Sequence, residues 1–177
     1  MAKHLCPWWV GYLLVNPVRR WFKNPQTILS PYINEGMIVL EIGPGMGFFT
    51  IPAARMVGES GRVIAVDVQE KMLKALVRRA EKAGVSSRII AKVCEPNRIG
   101  ISEPIDLCLA INVAHEVQDA GNLFSQIRDV LKPTGRLLLA EPGTWHVPEK
   151  EFQDTLAQAS AAGLKLIGEP KIGRAHV

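Results

Sequence analysis

The sequence predicts an α/β fold in which a parallel sheet is covered by helices on both faces. Three observations predict it. Short, mostly apolar runs recur at 37–42, 63–67, 89–93, 105–111 and 136–140. Runs of that length and character suit strands buried on both faces. Between them lie stretches with helical spacing of apolar residues, of which Glu70–Ala83 is the clearest. The first run also passes directly into three glycines at alternate positions, Gly43, Gly45 and Gly47, before another helical stretch. Strands separated by helices imply right-handed crossovers and parallel pairing.

Length and composition fit one globular domain: 177 residues, 47% apolar and 21% charged, enough chain to close a core without cross-links. Cys6, Cys94 and Cys108 have no CxxC spacing. Neither a disulfide framework nor a metal site is expected, and a reducing, cytoplasmic setting suits them. The apolar stretch Leu5–Val15 behind Lys3 and His4 is broken by Pro7 and followed by Asn16-Pro17. It is expected to be neither an export signal nor a membrane span.

In chain order, residues 1–34 precede the first strand and carry Trp8, Trp9, Tyr12, Trp21, Phe22 and Tyr32. Pro17 can open a short helix through Phe22; Asn24-Pro25 opens a second, with Ile28 and Leu29 on its apolar side, stopping before Pro31. After the first strand a helix is expected at Phe48–Val57, with Pro52 in its first turn or kinking it. Gly58 and Gly61 lead to the second strand. Helix 70–83 places Met72, Leu73, Leu76, Val77 and Ala80 on one face, and Gly84 is its left-handed cap. Strands at 89–93 and 105–111 follow. A helix at 120–131 should bury Leu123, Phe124, Ile127 and Leu131. After the strand at 136–140, helix 149–162 turns Phe152, Leu156 and Ala159 inward and ends at Gly163; 164–168 reads as a sixth strand.

Glycines let a backbone turn sharply and let a ligand approach where a Cβ would collide. The dinucleotide pattern Gly-x-Gly-x-x-Gly would need a third glycine where Phe48 stands, which disfavours a nicotinamide oxidoreductase. No Gly-Lys-Ser/Thr follows, so a P-loop is excluded. The pattern Glu41-x-Gly43-x-Gly45-x-Gly47 instead resembles motif I of class I S-adenosylmethionine (SAM)-dependent methyltransferases. Val63–Asp67 resembles that family's second strand, Asp106–Val117 its fourth strand and following loop, and Leu131–Leu139 its later turn and fifth strand.

The resemblance implies a Rossmann-like, mostly parallel seven-strand sheet with SAM as cofactor. It implies that Glu41, Gly43, Gly45 and Gly47 line the methionyl end, and that Asp67 accepts from both ribose hydroxyls. Val68 and Met72 would adjoin the adenine. Where the family often has an aspartate for the adenine amino group, this chain reads Val93-Cys94-Glu95, leaving the contact to Glu95, a backbone carbonyl or nothing. The loop after the fourth strand faces the transferred methyl in the family, which makes Asn112 and His115 the polar candidates there. His115 suits a general base near neutral pH, or it only shapes the loop. Glu141 and His146 follow the fifth strand and carry the same ambiguity. Residues 1–34 would fold over the cofactor as a lid, with 35–177 as the SAM-binding domain.

Residues 1–30 hold Lys3, Arg19, Arg20 and Lys23 and none of the 17 acids, so the excess of +4 lies there. That suits a solvated face, or peripheral contact with an anionic membrane surface. The bases of 70–83 have no interleaved aromatics, so no nucleic-acid partner is expected. The family's last strand is antiparallel, and only 171–177 remains to supply it. That heptapeptide, KIGRAHV, also reads like an in-frame translation of a sequencing-library adapter, so the last strand is expected to be truncated and the natural C-terminus replaced. The functional expectation is methyl transfer from SAM to a small-molecule acceptor. The alternative is a SAM-binding sensor or scaffold without transferase activity.

Overall fold

The computed structural model describes residues 24–143, 146–169 and the backbone of 174–176. The aromatic residues before position 24 and the helix expected at Pro17–Phe22 lie outside the described residues. The chain divides into two compact units at the Cys94/Glu95 boundary.

In the first unit, α1 (Pro25–Leu29) starts on Asn24, whose Oδ1 accepts the Gln26 amide at 3.0 Å. This gives an acceptor to one N–H donor that the helix itself leaves unpaired. Strand β1 (Ile38–Ile42) pairs in parallel with β2 (Arg62–Asp67), from Ile38 opposite Arg62 to Ile42 opposite Val66. Strand β3 (Ile89–Val93) pairs in parallel on the other side of β2, Val63 opposite Ile89 and Asp67 opposite Val93. Helix α2 (Thr50–Met56) begins two residues later than the sequence suggests, because Gly47–Phe49 are spent on a turn; Pro52 falls in its first turn and no kink is needed.

Helix α3 (Glu70–Lys82) lays Met72, Leu73, Leu76 and Ala80 on the sheet, while Val77, expected on that face, is exposed at its margin. The helix ends in a Schellman motif: Gly84 has φ +69°, the Val85 amide donates to the Ala80 carbonyl at 3.0 Å and the Gly84 amide to Glu81 at 3.0 Å. Leu29, Val39, Leu40, Ile64 and Leu76 form the fully buried centre of this unit. Each buried leucine or isoleucine contributes roughly 1.5–3 kcal/mol.

In the second unit, β4 (Ile105–Ile111) pairs in parallel with β5 (Leu131–Glu141). Helix α4 (Ala120–Val130) is capped by Asp119, whose Oδ1 accepts the Asn122 amide at 2.8 Å, and it buries Leu123, Phe124 and Ile127. Leu131, expected inside that helix, is instead the first residue of β5 and half-buried. Strand β5 begins at Leu131, five residues early, but residues 132–135 loop out between the Leu131–Ile105 and Arg136–Leu107 pairs, so the expected turn around Pro133 is present as a wide bulge in the strand. Gly135 makes this possible: a Cβ there would lie 3.0 Å from the Ile105 carbonyl oxygen and 2.9 Å from Leu131 Cδ2.

Helix α5 (Glu149–Ala161) buries Phe152, Thr155 and Ala159, with Leu156 only half-buried, and repeats the Schellman ending at Gly163 (φ +92°). The sixth strand expected at 164–168 does not form; Leu166 and Ile167 are 57% and 63% exposed. Strand β6 is Arg174–His176 and runs antiparallel to β5, with Leu139 opposite His176 and Glu141 opposite Arg174. Among the described residues no helix is long and apolar enough to cross a membrane.

Candidate functional site

Two constellations carry chemistry, one in each unit. The first is built at the end of β1. The Gly43 amide donates to the Val66 carbonyl at 2.9 Å and so ties the start of the loop to β2. All three loop glycines have positive φ: Gly43 +63°, Gly45 +54° and Gly47 +84°. Their environments differ. A Cβ at Gly47 would meet Leu76 Cγ at 3.1 Å, so this glycine allows α3 to pack against the loop. A Cβ at Gly45 would meet nothing within 4 Å, which leaves open space beside the backbone. The Gly45 amide donates to Asp67 Oδ2 at 3.3 Å, and the Gln69 amide donates to Asp67 Oδ1 at 2.8 Å.

The Asp67 carboxyl is buried, which raises its pKa, while the amides of Gln69, Gly45 and Val68 oppose the rise. Glu41 is only 4% exposed, and burial pushes its pKa up to about 7, with the Asp67 charge adding to the rise. The nearby Thr50 hydroxyl partly offsets this without meeting hydrogen-bond geometry. Among the described residues, Glu41 Oε2 and Thr50 Oγ1 are buried with no hydrogen-bond partner. An orphaned buried carboxyl oxygen is costly unless a donor, such as a ligand cation, arrives. Val68 is half-buried and Met72 buried, as an apolar neighbour of a ligand would be. Near Asp67 the sequence reading passed over Cys94. Its amide donates to the Asp67 carbonyl at 3.1 Å, and its thiol is pushed up to about 11 by burial and the Asp67 charge. Glu95 is exposed, and its carbonyl accepts the Arg98 amide at 3.1 Å in a turn.

The second constellation gathers at the ends of β4 and β5. Among described residues Asn112 alone has a positive φ (+57°) without being glycine, and its amide donates to the Ala140 carbonyl at 2.7 Å. Asparagine tolerates this left-handed conformation better than most residues, and such outliers cluster at functional sites. The reversal leads into a 3₁₀ turn, Ala114–Glu116, whose amides fold back on Glu141. Glu141 Oε1 accepts the Ala114 amide at 2.8 Å and the His115 amide at 3.3 Å, and Oε2 lies 2.5 Å from His115 Nδ1.

His146 stacks edge-on against the His115 ring, centroids 5.2 Å apart. Burial lowers the His115 pKa, but the hydrogen bond and charge of Glu141, with Glu116 and Glu151 beyond it, outweigh burial and hold it above the ordinary value. Asn112, His115, Glu141 and His146 are thus brought together. Glu141 itself has one sequence signal: like Glu41 it stands at the end of an apolar strand, two residues before a glycine. A cavity of about 580 Å³ between β5, α5 and 164–167 is lined by none of these residues. No group of three potential metal ligands occurs among the described residues.

Several known proteins share this architecture. A SAM-dependent methyltransferase from Aquifex aeolicus matches with a TM-score of 0.87 at 24% identity, over 97% of this chain and 96% of that one. Fibrillarin from Aeropyrum pernix, crystallised with natively bound SAM, matches with a TM-score of 0.68 at 16% identity, over 88% and 74%. The fold is therefore that of the Rossmann-like SAM-dependent methyltransferases. In sequence, the ubiquinone/menaquinone biosynthesis C-methyltransferase UbiE of a Marinomonas species is 30% identical over 143 residues, 79% of this chain and 55% of that protein. The protein of the same name from Escherichia coli is 29% identical over 116 residues, 65% and 46%. The chain thus spans about half the length of these curated relatives. Residues 33–169 match the family model of a methyltransferase domain, and the chain belongs to that family.

Proposed function

We propose that this protein transfers the methyl group of SAM to a small-molecule acceptor. The observation that carries the reading is the loop at the end of β1: three left-handed glycines, open space at Gly45, and a buried Glu41 oxygen without a partner among the described residues. These residues fit SAM. Glu41 Oε2 would take the methionyl ammonium, the glycine backbone would flank the methionyl chain, and Asp67 would accept from the ribose hydroxyls with the lone pairs its two amide bonds leave. Met72 and Val68 would bound the adenine. Glu95, exposed and turned into a bend, is a weaker adenine contact than the half-buried Cys94 beside Asp67.

SAM supplies a methyl already activated by its sulfonium. The protein's contribution is to position the acceptor, exclude water and, where required, take a proton. Positioning alone is worth roughly 7–11 kcal/mol in favourable cases. Asn112 and His115 are the groups assigned to the acceptor, and His115 is the base. Residues 1–34 are proposed as the lid that closes over it. The C-methylation named for the UbiE relatives makes an aromatic quinone precursor the first acceptor to try.

Titration with SAM, S-adenosylhomocysteine and NAD, followed by turnover on a panel of small acceptors, tests the reading. SAM and its product should bind while NAD does not. SAM binding with no turnover on any acceptor would favour the sensor alternative.

A further inference from the structure

Resting on the methyltransferase reading, we propose that Glu141 is a positioning residue that fixes His115 with its hydrogen on Nδ1 and its lone pair on Nε2, so that the acceptor belongs to the hydroxyl or carbon acids, compounds that must shed a proton as they are methylated. Glu141 is buried to 4% exposure, and both its oxygens are held from one turn, by the Ala114 and His115 amides and by the imidazole itself. A carboxylate anchored by two amides cannot swing away, and it only accepts; the imidazole nitrogen 2.5 Å from it therefore carries the hydrogen.

Among the described residues Nε2 is left with its lone pair. It lies 3.9 Å from Glu116 Oε1, beyond hydrogen-bond reach, and the His115 side chain keeps 13% of its surface open to a reactant. Among the described residues, the titratable groups facing the ring are Glu116 on the 3₁₀ turn, Glu141 on β5, His146 on the loop after it and Glu151 on α5. The three carboxylates favour an imidazolium, which is the state His115 reaches after taking a proton.

The step balances as follows. The acceptor's hydroxyl O–H bond, or the C–H bond of its activated ring, breaks, and the proton goes to Nε2. The acceptor's electron pair forms the new bond to the methyl carbon. The pair that held the methyl stays on the departing thioether sulfur. The positive charge passes to His115, paired with Glu141. A neutral amine attacks through its own lone pair, and for such an acceptor this arrangement is idle. Oxygen and carbon attack share the requirement for a base and are separated by product analysis.

The test begins on the ligand-free protein with ¹⁵N NMR of the imidazoles. His115 is expected as the Nδ1–H tautomer, and Glu141→Gln should lower its titration midpoint, since the hydrogen bond and charge that raise it are lost. The acid limb of kcat/KM on a hydroxyarene should move with it, while the Kd for SAM stays within twofold. An Nε2–H tautomer in the native protein overturns the proposal even where Glu141→Gln does not fold, as does an unmoved midpoint in a folded variant. Full turnover by His115→Asn on the accepted substrate, or acceptance of amines only, overturns the substrate class. Absence of SAM binding sinks the methyltransferase reading itself and leaves the tautomer result standing.

Discussion

Glu41 and Glu141 are equally buried, each 4% exposed at the end of an apolar strand, yet their surroundings are opposite. Glu141 has a donor for each oxygen: two amides on one, an imidazole on the other. Glu41 keeps an oxygen with no partner among the described residues, and its pKa rises to about 7. A satisfied buried carboxylate holds its neighbours in place. An unsatisfied one is a cost that the folded chain carries until something binds. The β5 end is thus a closed set of hydrogen bonds, whereas the β1 end keeps an unmet acceptor.

The largest effect on this contrast should come from Gly45→Val. A branched residue at φ +54° is strained, and its side chain would fill the open space beside the loop. SAM affinity should fall by more than about 3 kcal/mol, over a hundredfold, measured by calorimetry on a folded variant. Normal binding would remove the loop from the site.

Glu41→Gln tests the orphan directly. The folded-state pKa of Glu41 lies above its ordinary 4.5, so the native state holds an extra proton between pH 4.5 and about 7. The stabilising contribution of that proton is complete below pH 4.5 and is lost as pH rises through 7. Relative to the variant, ligand-free wild type should lose about 3 kcal/mol of stability between pH 4.5 and 8. Parallel pH profiles in urea unfolding would show that Glu41 is solvated.

Asp67→Ala should weaken SAM by roughly 1.5–3 kcal/mol, the value of hydrogen bonds to a charged acceptor. It should also loosen the loop, since the Gly45 amide loses its partner. Unchanged affinity would take Asp67 out of the site. Gly47→Ala should cost the least, roughly 1–2 kcal/mol of stability, from its φ of +84° and the 3.1 Å approach to Leu76. Urea unfolding reads it, and the titration of His115 should not move.

The β1 end was legible because its signal is local. A glycine pattern and a strand-terminal carboxylate lie within seven residues, and backbone conformation does most of the work there. The pairing of His115 with Glu141 spans 26 positions and depends on β4 and β5 lying side by side, which no local pattern states. Cys94 escaped for the same reason, since its relation to Asp67 arises from the β2–β3 pairing. The turn composition of Lys132-Pro133-Thr134-Gly135 is matched by a bulge at those residues, and only the pairing of Leu131 with Ile105 before it, which no local pattern states, extends β5 beyond the expected start. Residues 164–168 have strand-like composition but no neighbour to pair with among the described residues. Composition alone does not make a strand.

A carboxyl that has half released its proton near neutrality makes cofactor capture an exchange. If the ammonium of SAM takes the place beside Glu41 Oε2 that a proton otherwise occupies, each molecule bound at pH 7 expels a fraction of a proton into the medium. The heat measured on binding then includes the heat with which the buffer takes up that proton. Titrations in phosphate and in Tris, whose ionisation enthalpies differ widely, should give different apparent enthalpies for one affinity. The slope of enthalpy against buffer ionisation heat counts the protons released.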